Sequence, residues 1–110
     1  MKKEWATIKN HTNYLVSNCG DVKNRTTGKL LSPKTNGRSK TQYVLLINDK
    51  GFVKYKTITH LVVEHFTSEK NLKYKRFQYR DSNPKNNNIN NIIVSSGSKI
   101  TKSELMELVK

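Results

Sequence analysis

The chain has 110 residues, enough for one domain or two small modules, and with 34% of them hydrophobic any core must be modest. Twenty-one lysines and arginines against 8 acids give a net charge of +13, which ranks nucleic acid first among partners and a membrane surface last. No apolar run approaches the ~20 residues of a bilayer span, and MKKEWATIKN has no apolar stretch after its lysines to make a signal peptide.

Residues 4 to 57 read as short strands and turns. EWATI and YLVSN are rich in β-formers, and Gly20 in NCGDV supplies the permissive backbone of a hairpin. Cys19 stands alone, so no internal disulfide forms; it reads as a small buried residue suited to a reducing cytoplasm. DVKNRT alternates, with Val22 and Asn24 on one face and Lys23 and Arg25 on the other. KTNGRSK, with its Asn-Gly pair, reads as an exposed basic loop. QYVLLIN is a continuous apolar run, which predicts a central strand buried on both faces. Asn48 to Gly51 is the clearest turn signal, and FVKYKTI after it sets Lys54 and Lys56 opposite Val53 and Tyr55.

The period then changes. In ITHLVVEHF, Ile58, Leu61, Val62 and Phe66 fall on one face of a helix, with His65 on the same face. TSEKNLKYKR is a basic connector, FQYRDSNPKNNNINNIIV follows, and SSGS reads as a joint. Beyond it, Thr101 and Glu104 form a capping box with Ile100 and Leu105 as a staple, predicting a last helix that packs on the domain or pairs two subunits into a homodimer.

The residues that carry chemistry are mostly cations. Lys23, Arg25, Lys29, Lys34, Arg38 and Lys40 fall within twenty residues; Lys54 and Lys56 share a strand face; Lys70, Lys73, Lys75, Arg76 and Arg80 form a third group. They read as a phosphate track, with Asn24, Thr26, Asn36 and Gln42 placed to meet phosphates or base edges. The aromatic residues show no stacking platform, which favours a duplex over single strands. His60 and His65, five apart, do not share the helical face a zinc pair needs, and His11 is remote; they read as packing or capping residues.

Two segments together resemble the phage-type HNH homing endonuclease family. The first is Glu4, Trp5, Ile8, Tyr14, Val16, Ser17, Asn18, Gly20 and Val22, similar to the NUMOD-type module that opens such enzymes. The second runs from QYVLLINDKGF to Leu61, Val62, Glu64 and Phe66. The resemblance implies an α+β fold: a β-rich DNA-binding module over residues 1–57, a degenerate ββα-metal region over 58–94, and a linker with the C-terminal helix over 95–110. It also implies roles. Asp81 and Asn83 match the HNH loop, Asn86 and Asn87 take the bracing positions, and Asn91 takes the metal-ligand position of a following helix. The general-base position holds Tyr79 instead of histidine, the strand-ligand position holds neutral Gln78, and Ser82 replaces a glycine. Free tyrosine titrates near ~10, which makes it a poor base at neutral pH.

The resulting expectation is a double-stranded DNA-binding protein without a catalytic residue, metal or cofactor, of a phage or mobile element in a bacterial cytoplasm, acting as a repressor or site blocker. One alternative is an active nicking enzyme that uses Tyr79 with Mg2+ or another divalent metal held by Gln78 and Asn91. Another is an RNA- or protein-binding inhibitor.

Overall fold

The computed structural model describes residues 2–96. Strands β1 (Trp5–Thr7), β2 (Tyr14–Ser17) and β3 (Val22–Asn24) form an antiparallel sheet with β2 in the middle. Its register sets Ala6, Val16 and Val22 side by side, and both valines are fully buried. The β2–β3 turn closes at Gly20, whose φ of +94° lies in the region that favours glycine.

The second sheet comprises β4 (Lys34–Thr35), β5 (Gln42–Ile47) and β6 (Val53–Thr57). The turn expected at Asn48–Gly51 joins β5 to β6, with the Asn48 side chain accepting the N–H groups of Lys50 and Phe52. Strand β5, however, is buried on one face only. Val44 and Leu46 are buried, whereas Leu45 and Ile47 are about half exposed at 49% and 48%. With one helix to cover it, a sheet of this size packs one side, and the pleat sends alternate residues outward. The register of β6 follows: Lys56 and Lys54 lie across from Val44 and Leu46, while Tyr55 and Val53 lie across from Leu45 and Ile47. The lysines thus occupy the inner side of an edge strand, where their stems reach out past the rim.

Helix α1 (Ile58–Phe66) follows β6 directly and buries Ile58, Thr59, Leu61, Val62 and Val63. That is a wider stripe than the four-residue face read from the sequence, because the helix touches β2, β5, β6 and the asparagine tract. It stops at Thr67, whose hydroxyl and N–H both bond the Val63 carbonyl. A 3-10 turn at Leu72–Tyr74 leads into a hairpin of β7 (Lys75–Tyr79) and β8 (Ile92–Ser96).

Two expectations change here. Asn91 lies in a 3-10 turn, Ile89–Asn91, that runs into β8 and not in a helix. The asparagine side chains bond backbone N–H groups two residues on, which competes with helix formation, and the β-branched Ile92, Ile93 and Val94 then favour a strand. Strand β8 also continues through Ser95 and Ser96, into the stretch read as a joint. The capping box and C-terminal helix lie outside the described residues.

One hydrophobic cluster holds these pieces together. It contains Ile8, Val16, Val22, Val44, Leu46, Ile58, Leu61, Val62, Val63, Leu72 and Ile92, so both sheets, the helix and the hairpin contribute. The hairpin adds the half-buried Phe77, Tyr79 and Val94 against it.

Candidate functional site

The cations sit on turns that asparagines hold in shape. Asn24 accepts the N–H groups of Thr26 and Thr27, fixing the turn that carries Arg25 and Lys29. Asn36 does the same for Arg38 and Ser39 in the β4–β5 loop, which also carries Lys40. These side-chain carbonyls therefore set turn geometry, and the Nδ2 groups take no part in those bonds. Lys34 lies on β4 across from Tyr43. Lys23 holds its ammonium 4.1 Å above the Trp5 ring, and Lys3 lies 5.3 Å from the same ring while pairing with Asp21 at 2.5 Å.

The connector group is more mixed. Lys75 pairs with Glu69 at 3.6 Å, Lys73 lies over Tyr74, and Arg80 donates from Nε to the Asn90 carbonyl. Lys70 and the exposed Arg76 complete it. The structure thus brings Arg25 with Lys29 and Arg38 with Lys40 into two preformed basic turns, and sets Lys75 and Arg76 on β7, in a different sheet. It also revises the aromatic reading: Tyr43 and Tyr55 stack at 4.5 Å on the outer face of the second sheet.

The hairpin carries Tyr79, the residue matched to a general base. The Tyr79 hydroxyl lies 2.7 Å from Thr59 Oγ1 on α1. Thr59 in turn donates a short hydrogen bond to Asn87 Oδ1. A threonine hydroxyl has a single proton. With the Asn87 amide in this orientation Thr59 has given that proton away, so Tyr79 is the donor in its own bond. A phenol that donates inward to a buried hydroxyl is not arranged to take a proton from water. Asn87 is itself buried, and its Nδ2 has no partner.

Beside it, Asp81 organises the rest of the loop. Its carboxylate accepts from the Asn86 amide at 2.8 Å, the Asn83 N–H at 2.9 Å and the Asn91 amide at 2.9 Å. The Asn86 amide first, then the Asn83 N–H and the Asn91 amide, hold its pKa below the usual carboxylate value. Asn91 is fully engaged: Oδ1 accepts the Asp81 N–H, and Nδ2 donates to Asp81 and to the Asn86 carbonyl. Gln78 is exposed, one residue along from Tyr79 and so on the other face of β7.

The Oδ1 atoms of Asn83, Asn86, Asn88 and Asn91 each accept a backbone N–H group, so these side chains shape the loop. No group of three histidine, cysteine, aspartate or glutamate side chains is placed to hold a metal among the described residues.

The histidines serve the scaffold. His65 donates from Nδ1 to the Leu61 carbonyl and accepts the Lys9 N–H at Nε2, which ties α1 to the β1–β2 turn. His11 is buried with Nδ1 on the Lys9 carbonyl. His60 is half-buried, and desolvation pushes its pKa down against the opposing pull of Glu64. Cys19, expected to be buried, is only partly so, because the tight Gly20 turn leaves it at the surface of the loop.

Sequence reasoning missed three residues. Thr59 stands off the apolar stripe of the helix and carries no local signal of its partners, which are 20 and 28 residues away. Asn18 and Gly20 were read as strand end, turn and part of the family resemblance, without their contacts to the asparagine tract. Asn18 accepts the Ile89 N–H at its carbonyl, and Gly20 packs so close that a Cβ there would lie 2.7 Å from Asn87 Cβ. The first sheet therefore clamps the asparagine tract directly.

No family model and no curated protein matches the chain. Among solved structures it is similar to "DNA binding and cleavage by the HNH homing endonuclease I-HmuI", with a TM-score of 0.71 and 27% sequence identity. The match covers 84% of this chain and 52% of that one, so it spans about half of that protein's length. The chain thus carries a small α+β fold like that of an HNH homing endonuclease.

Proposed function

We propose that this chain is a sequence-preferring double-stranded DNA-binding protein on an HNH-like scaffold, which occupies its site without cutting it and so acts as a repressor or site blocker. Likeness to a DNA-binding endonuclease and a net charge of +13 support the binding half. The two basic turns, with Arg25, Lys29, Arg38 and Lys40, and the connector cations would contact phosphates, and their pre-set geometry lowers the ordering cost on binding. One observation carries the non-cleaving half. Tyr79 at the base position is held as a donor to Thr59, which is bonded to the bracing Asn87. The asparagine that would serve a metal is spent on Asp81.

Recovery and sequencing of genomic duplex fragments bound by the protein test the binding claim. The expected result is one or a few enriched sites, with affinity falling on the order of 10³-fold or more between 50 and 200 mM salt. Arg38→Gln should weaken binding to all fragments alike and lower the salt slope by about one phosphate contact. Equal recovery of all sequences would remove the regulatory reading.

A further inference from the structure

The turn at residues 48–51 ends the second sheet but is tied to the first. The Asp49 N–H donates to the Asn10 carbonyl at 2.9 Å, and Asp49 Oδ1 accepts the Thr12 N–H and hydroxyl at 2.8 and 2.9 Å. From the same β1–β2 turn, the Asn13 carbonyl accepts the Arg25 N–H at 2.8 Å. The Ile47 N–H adds a bond to the Tyr14 hydroxyl at 3.4 Å. Residues 10–13 therefore join the turn that carries Lys50 to the turn that carries Arg25. The Thr12 N–H, then its hydroxyl, hold the Asp49 pKa below the usual carboxylate value, and the Arg25 charge acts in the same direction.

The two turns offer the same chemistry. Asn24 and Asn48 each spend the side-chain carbonyl on two backbone N–H groups, so their amides have N–H donors left to give. Arg25 and Lys50 are exposed cations beside them. The Asp49 carboxylate is engaged by Thr12. Such an edge presents positive charge and donors, which phosphate oxygens match and a basic or apolar partner does not.

We infer, resting on the DNA-binding reading, that these two turns meet duplex DNA as one edge. Lys50 is a phosphate contact beside Arg25, and Asp49 is the residue that positions the pair through the β1–β2 turn. The consequence runs against bulk electrostatics. Removing an acid from a chain of +13 tightens duplex binding by charge alone. Removing Asp49 also releases Lys50 from Arg25, and the cost of ordering them returns to the binding step.

Anisotropy titrations of a labelled short duplex between 50 and 200 mM salt test this. Asp49→Ala should bind about fivefold more weakly than wild type despite its added charge, whereas Asp49→Asn, which keeps an oxygen for Thr12, should bind at least as tightly. Lys50→Gln should weaken binding and lower the log–log salt slope by about 0.9. In the Asp49→Ala background the Lys50→Gln change should cost much less, whereas a mere loss of stability would leave its cost unchanged. Tighter binding by folded Asp49→Ala, or an unchanged salt slope in Lys50→Gln, overturns the inference while wild-type binding stands. Lys50→Gln alters an exposed side chain, so it decides even where Asp49→Ala does not fold. Failure of the wild-type protein to bind any duplex removes the DNA-binding reading itself.

Discussion

At the residue scale, Tyr79, at the position matched to a catalytic base, takes part in a structural joint. Tyr79 is bonded to Thr59, and Thr59 to Asn87, so three side chains from α1, β7 and the asparagine tract share one small network. Thr59→Val keeps the shape and removes the hydroxyl, leaving the Tyr79 O–H and the Asn87 carbonyl without this partner. We expect a loss of about 1–3 kcal/mol in urea unfolding, against a smaller loss for Tyr79→Phe. Equal, near-zero losses would show that the network does not stabilise the fold. His60 gives a pH signature. Burial lowers its pKa in the folded state, so the unfolded chain binds the proton more readily and stability declines as pH falls below ~6.5. Thermal melts at pH 7.5 and 5.5 should show a decline that His60→Gln reduces.

At the level of elements, agreement between sequence and structure tracks how local the determining forces are. The turn at Asn48–Gly51, the Gly20 hairpin and helix α1 over Ile58–Phe66 depend on residues a few positions apart, and all three were legible. The one-sided burial of β5 was not, because Val44 and Leu45 look alike in sequence and only the single helix decides which is covered. Nor was the 3-10 turn at Asn91, where side chains bond the backbone two residues on. The clamp between the β2–β3 turn and the asparagine tract is a long-range contact of the same kind. Gly20→Ala would meet Asn87 at 2.7 Å and strain a positive φ, with an expected cost of about 1–3 kcal/mol. A matched Gly28→Ala change, also at positive φ but with open space around it, isolates the contribution of the clamp; equal costs at both sites would show that backbone strain alone is at work.

For the whole molecule, the charge pointed to an anionic partner and the resemblance to an HNH-like scaffold; neither showed the state of the site. Tyr79, Gln78 and Asn91 were singled out by register with the resemblance. The bonds of Tyr79 to Thr59, and of Asn91 to Asp81 and Asn86, depend on chain segments brought together only by folding. The asparagine tract is well bonded and shares the core with the first sheet, which gives it a structural role independent of catalysis. Removing it would expose the base of the first sheet.

The most direct test is a supercoiled plasmid carrying a recovered site, incubated with saturating protein in magnesium and separately in manganese, beside Tyr79→Phe protein. A non-cleaving binder gives a retarded plasmid that returns intact and supercoiled once the protein is removed. Nicked or linear product that depends on Tyr79 would contradict the non-cleaving reading.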